Sequence, residues 1–127
     1  MNREIAPTSI APTAANYAHA VLSEAPSRIL HTSGIVPIDR DGTVPESLAE
    51  QADVVWRNLL AILAEADLAV TDVVSITTYV VAGQPLAPVM AARDAALGGH
   101  RAASTLVTVP ALARSEWSME IALVAVR

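Results

Sequence analysis

The sequence predicts an α+β sandwich, a mixed sheet with two helices on one face, in the order ββαβαββ. Three observations predict it. Residues 48–66 and 84–97 repeat their apolar positions at the steps of three and four that mark an amphipathic helix. β-Branched runs alternate with those helices, as strand–helix–strand crossovers require. The terminal run 118–126 is apolar on both faces, so it needs cover on both sides, and two helices cover only one side of a sheet. The other side is expected to meet further copies of the chain.

Residues 1–16, broken by Pro7 and Pro12, are expected to be irregular. Residues 17–23 and 28–33 flank the turn-forming Glu24-Ala25-Pro26-Ser27 and read as a β-hairpin. Pro37, Asp39, Asp41 and Gly42 supply turn chemistry to residues 34–43. Ser47 and Glu50 have capping-box spacing, so a helix starts there; Leu48, Ala52, Val55, Leu59, Ile62 and Ala66 form its apolar face. Residues 72–81 read as a strand, with Val74, Ile76, Thr78 and Val80 on one face and Val73, Ser75, Thr77, Tyr79 and Val81 on the other. A second helix spans 84–97, tolerating Pro88 in its first turn and ending at Gly98-Gly99. Strands at 104–109 and 118–126 complete one domain, 1–127, with no repeat or linker.

Composition removes several chemistries. The chain has no cysteine, which excludes thiol nucleophiles and thiolate metal sites. All eight basic residues are arginine, so Schiff-base and Walker-loop chemistry are excluded as well. A net charge of −5, with no Phe, two Trp and two Tyr, makes a poor nucleic-acid surface. No apolar run is long enough for a membrane span, and the opening residues lack the core of a signal peptide, so a cytoplasmic protein is expected. At 53% hydrophobic and 17% charged, the chain carries more apolar sequence than a monomer this small can bury. The expected partners are small molecules and copies of itself.

His19, His31 and His100 have no metal-presenting spacing, and no metal is expected; His31, mid-strand, reads as a hydrogen-bonded structural histidine. Glu120 is the informative acid. It lies within the apolar terminal strand, where a carboxylate is costly unless paired or facing a wet cleft, so a pocket is expected around it. Arg101, in the loop before a strand, is the nearest candidate anion binder.

Several blocks resemble the Rid family, also called YjgF or endoribonuclease L-PSP. They are Tyr17-Ala18-His19-Ala20-Val21, Ser33-Gly34-Ile35-Val36-Pro37-Ile38 with Asp41-Gly42, Glu50-Gln51-Ala52 with Asn58 to Leu63, and Asp72-Val73-Val74 running into Thr77 to Val80. Residues 101–109, Leu112 and Met119-Glu120-Ile121 continue the register. The resemblance implies a chorismate-mutase-like fold, a homotrimer with ligand clefts at subunit boundaries, and cofactor-free hydrolysis of reactive enamines and imines to 2-keto acids and ammonia. It implies Glu120 as the water-positioning catalytic group, with Tyr17, Ser33 and Gly34 lining the cleft. The family's carboxylate-binding arginine falls at Ser104, with Arg101 three residues upstream as the possible substitute.

Overall fold

The computed structural model describes residues 1–127. Its main sheet has four strands in the order β3-β6-β4-β5: β3 (Ile29–His31), β6 (Met119–Val126), β4 (Val73–Val81) and β5 (Ala103–Val109). β4 and β5 are parallel and the other pairs antiparallel, so the sheet is mixed. β6, with two apolar faces, takes an interior position. Helices α1 (Leu48–Glu65) and α2 (Ala87–Leu97) share one core with it. That core joins Val55, Leu59 and Leu63 of α1 to Val73, Ile76 and Val80 of β4 and to Met119, Ile121, Leu123 and Ala125 of β6.

The helix ends follow local chemistry. Ser47 Oγ accepts from the Glu50 N–H at 3.1 Å, satisfying one of the unpaired donors of the first turn of α1. α2 closes on Gly98 at φ 57°, a left-handed conformation that costs glycine little. It begins at Ala87, three residues later than expected, because Pro88 belongs to the first turn.

Three expectations need correction. Residues 20–23 do not pair with 28–33. The ribbon partner of β2 (Ala20–Ser23) is β1 (Asn2–Ile5), a strand inside the segment expected to be irregular. Ala25 turns at φ 48°, and the Ser27 and Arg28 N–H groups both donate to the Arg127 carbonyl, which diverts the chain into the main sheet beside β6. In β4, an irregularity between Val73 and Ser75 adds one residue, so Val73 joins Ile76, Thr78 and Val80 on the buried face.

The other face carries no helix. It presents Ser75, Thr77 and Tyr79 of β4, Thr105 and Val107 of β5, and Glu120, Ala122 and Val124 of β6, none of them buried. Val107 is 39% exposed and Ile29, on β3, 57%.

Candidate functional site

Glu120 faces away from the helices because its neighbours Met119 and Ile121 are both core residues. It stands opposite Tyr79. Beyond β3 the chain returns to β6: His31 pairs with Val124 and Ile35 with Ile121, so four steps on one side meet three on the other. The extra residue makes a bulge. Thr32 holds it, with its N–H donating to the Leu123 carbonyl at 3.0 Å and its Oγ1 accepting from the Leu123 N–H at 2.9 Å. Gly34 is thereby laid against Glu120 so closely that a β-carbon on it would stand 1.9 Å from Oε2. Only glycine leaves room for the carboxylate there.

Two amides fix the surroundings. Gln51, 1% exposed, donates from Nε2 to the carbonyls of Pro45 and Glu116 at 2.8 Å each, and its Oε1 accepts from the Ser118 N–H at 2.8 Å. It thus ties α1 to the chain two residues before Glu120. Asn58 Nδ2 donates to the Ile38 carbonyl at 2.9 Å, tying α1 to the segment that follows Gly34. Between that segment and α1 lies a groove of about 440 Å³, lined by Ser33, Gly34, Ile35, Val36 and Ile38 on one side and Asn58, Ala61 and Ile62 on the other.

Glu120 has no cationic partner. The five ion pairs of the chain are Arg3–Glu24, Arg57–Asp39, Arg93–Asp94, Arg101–Glu4 and Arg127–Asp72. Within one chain the six candidate residues divide into two groups. Ser33, Gly34 and Glu120 cluster where the bulge meets β6. Tyr17, Arg101 and Ser104 gather around the start of β5, the opposite edge of the sheet. Ser104 pairs with the buried Ile76, so it lies in the helix-side row, on the face away from Glu120.

Arg101 is engaged locally. Its Nη2 donates to Thr13 Oγ1 at 3.2 Å and to the Tyr17 carbonyl, and it pairs with Glu4 at 3.1 Å. The Ala18 N–H donates to the Ala102 carbonyl at 2.9 Å, and the Tyr17 ring meets His19 edge-on with centroids 6.5 Å apart. A second hollow of about 420 Å³ lies here, bordered by Glu4, Pro7, Thr13, His19 and Arg101.

His31 is corrected too: it is exposed at the sheet edge and its ring makes no hydrogen bond. The structural role falls to His100, whose Nε2 bonds the Val73 carbonyl at 2.7 Å. His19 Nε2 bonds the Ala11 carbonyl at the same distance. No group of three metal-ligating side chains converges in the chain, and no helix is long and apolar enough to cross a membrane.

Sequence reasoning gave no role to Gln51 or Thr32. Gln51 could have been found: it sits three residues after Leu48 and four before Val55, a polar side chain in an apolar stripe. Nothing local marks Thr32.

The family model described as endoribonuclease L-PSP matches residues 8–127. A RutC family protein of Buchnera aphidicola subsp. Schizaphis graminum is 31% identical over 80 residues, 62% of this chain, and the match spans only 57% of that relative's length. Among solved structures, YyfB of Yersinia pestis, a protein of unknown function in the conserved Rid family, superimposes with a TM-score of 0.89 at 32% identity, covering 99% of this chain and 98% of that one. The YjgF gene product of E. coli gives 0.72 at 29% identity over 98% of both chains. TdcF of E. coli, solved with bound serine, gives 0.73 at 25% identity over 96% of this chain and 93% of its own.

Proposed function

The chain belongs to the endoribonuclease L-PSP family, the Rid or YjgF group, and on that premise we propose that it hydrolyses or tautomerises small reactive imines or enamines in clefts between the subunits of a cytoplasmic homotrimer. Glu120 is the catalytic group; Tyr17, Ser33, Gly34, Ser104 and Arg101 border the cleft. The observation that carries the reading is the Glu120 carboxylate, unpaired and set against Gly34 on a helix-free sheet face.

A carboxylate so placed accepts a hydrogen bond from water and takes its proton as the new C–O bond forms at the imine carbon. That attack opens the C=N double bond, and as the carboxyl returns its proton to the nitrogen the carbinolamine R₂C(OH)NH₂ forms. Cleavage of the remaining C–N bond as C=O forms, with the hydroxyl proton passing to the nitrogen, releases NH₃, so R₂C=NH with H₂O yields R₂C=O and NH₃. The close approach of Gly34 limits where the carboxylate can point, and that restriction is what positions the water. Trimer assembly is supported by the helix-free face, whose half-exposed aliphatic residues need cover. It would also bring the β5 edge of one copy towards Glu120 of another. Ribonuclease activity is disfavoured by the net charge of −5.

Ser104 favours a second reading, a trimeric metabolite-binding protein without turnover. A serine hydroxyl replaces a bidentate guanidinium–carboxylate contact with at most one neutral hydrogen bond, a loss of about 2 kcal/mol for an anionic substrate. Ammonia release from 2-iminopropanoate and other small imines decides between the two. Turnover that disappears in Glu120→Gln supports the enzyme, and binding without turnover supports the alternative.

A further inference from the structure

We propose that the ligand of the Glu120 site is a cation without a carboxylate, an aliphatic iminium or ammonium, rather than an imino acid. This rests on the reading of Glu120 as the site and names its substrate class.

The charge inventory carries the argument. Among the strand residues of the helix-free face, Glu120 is the only carboxylate and there is no arginine; the one other basic side chain is His31, exposed at the β3 edge opposite Val124. The chain has no lysine, and six of its eight arginines are engaged elsewhere: five in ion pairs, and Arg28 on the Ala66 carbonyl. Arg114 lies 5.4 Å over the Trp117 ring, and Arg40 is exposed in the turn beyond Ile38. Arg101, the nearest candidate anchor for an anion, already has its charge offset by Glu4 at 3.1 Å. A second copy of the chain laid on this face brings the same inventory.

A half-buried carboxylate with no compensating cation in its own chain, and facing from another copy at most an Arg101 already paired with Glu4, repels an anionic ligand and makes a charge-assisted hydrogen bond to a cationic one. The groove between residues 33–38 and α1 is aliphatic on most of its lining; Glu120 is not part of that lining, and Gly34, which borders both the groove and the carboxylate, is the point where the two meet. An alkyl chain in the groove with its nitrogen at Glu120 satisfies both features. A carboxylate on the same molecule satisfies neither. The corresponding hydrolysis, RCH=NH₂⁺ + H₂O → RCHO + NH₄⁺, balances without a cofactor.

The test is calorimetric titration of the full-length protein with isoamylamine hydrochloride, a stable stand-in for the iminium, against sodium 4-methyl-2-oxopentanoate and methylamine. Isoamylamine is expected to bind at least about tenfold more tightly than either. Glu120→Gln is expected to abolish the preference, and Gly34→Ala, which keeps the charge but displaces it, to weaken it. Tighter binding of the keto acid, amine binding unchanged in Glu120→Gln, or no binding of the amine overturns the proposal. Ammonia release measured in parallel separates this inference from the catalytic one. Glu120-dependent turnover of 2-iminopropanoate together with tight keto-acid binding keeps the enzyme and removes the cation. Glu120-dependent amine binding with no imine hydrolysed keeps the cation and removes the enzyme.

Discussion

Oε2 of Glu120 fills the space that a side chain at position 34 would need, 1.9 Å from where a β-carbon on Gly34 would stand. Gly34 is not among the glycines with positive φ, so alanine there meets no backbone penalty. The carboxylate is the flexible partner and must swing aside. Gly34→Ala is therefore expected to leave thermal stability close to that of the parent while lowering any Glu120-dependent turnover by about 10²-fold, the order expected for a misplacement near 1 Å. Ammonia-release kinetics and a melting curve on the same preparation check both halves.

Ser104 and Glu120 lie on opposite faces of one sheet. An arginine at 104 can meet a ligand at Glu120 only across a subunit boundary. Ser104→Arg is expected to gain binding of pyruvate and activity on 2-iminopropanoate, and both gains should vanish on dilution below the assembly threshold. Light scattering beside the assay reads the assembly, with about three chain masses expected at micromolar concentration. A gain that persists in monomers would show that residue 104 reaches the site within its own chain.

Gln51→Leu leaves the carbonyls of Pro45 and Glu116 and the N–H of Ser118 without their side-chain partner. Uncompensated polar groups cost about 1–3 kcal/mol each where they stay dry, so a loss of about 3 kcal/mol in urea unfolding is expected. Asparagine at the same position, one methylene shorter, should recover little of it, because the three partners lie on two separate segments.

Asp72 accounts for part of the acid sensitivity. Burial opposes its ionisation, but the hydrogen bond from Arg127, the Ala69 N–H and the Arg127 charge outweigh it and hold its carboxyl below the usual 3.8. A carboxyl lowered in the folded state stabilises the fold above its unfolded value, and that contribution is lost as pH falls through the folded value. The stability gap between the parent and Asp72→Asn should thus be widest near neutral pH and shrink as the pH falls through 3.8 and on through the lower folded value. Denaturant titrations across that range measure it; a gap that widened on acidification would contradict the pairing with Arg127.

What was legible in the sequence was local. The Ser47 cap and the long periodic face of α1 depend on neighbours within a few residues, and β6, apolar on both sides, announced that both of its faces need cover. Glu120 stood out because one charge interrupts that strand. Pairings between distant segments were not legible. The partner of β2 lies 18 residues before it, across a proline-broken stretch, and the intervening sequence carries no turn that fixes the register. The face occupied by Ser104 depends on its register against β4, which a single sequence does not state. The bulge that makes Gly34 necessary is produced by Thr32 on the Leu123 amide, 91 residues away.

The interior position of β6 has a consequence for how the chain is made. Of the four strands in the main sheet it leaves the ribosome last, yet β3 pairs with nothing else in that sheet and β4 takes one of its two neighbours from it. The N-terminal ribbon waits as well, since Asn2 Nδ2 donates to the carbonyl of Val126, 124 residues on. Helices α1 and α2 can form early and pack together, but they present their apolar faces to a sheet that still lacks an inner strand. Folding therefore closes in one late, long-range step, with the slow kinetics that such distant contacts impose, and a nascent chain halted before Met119 exposes the surface that chaperones recognise.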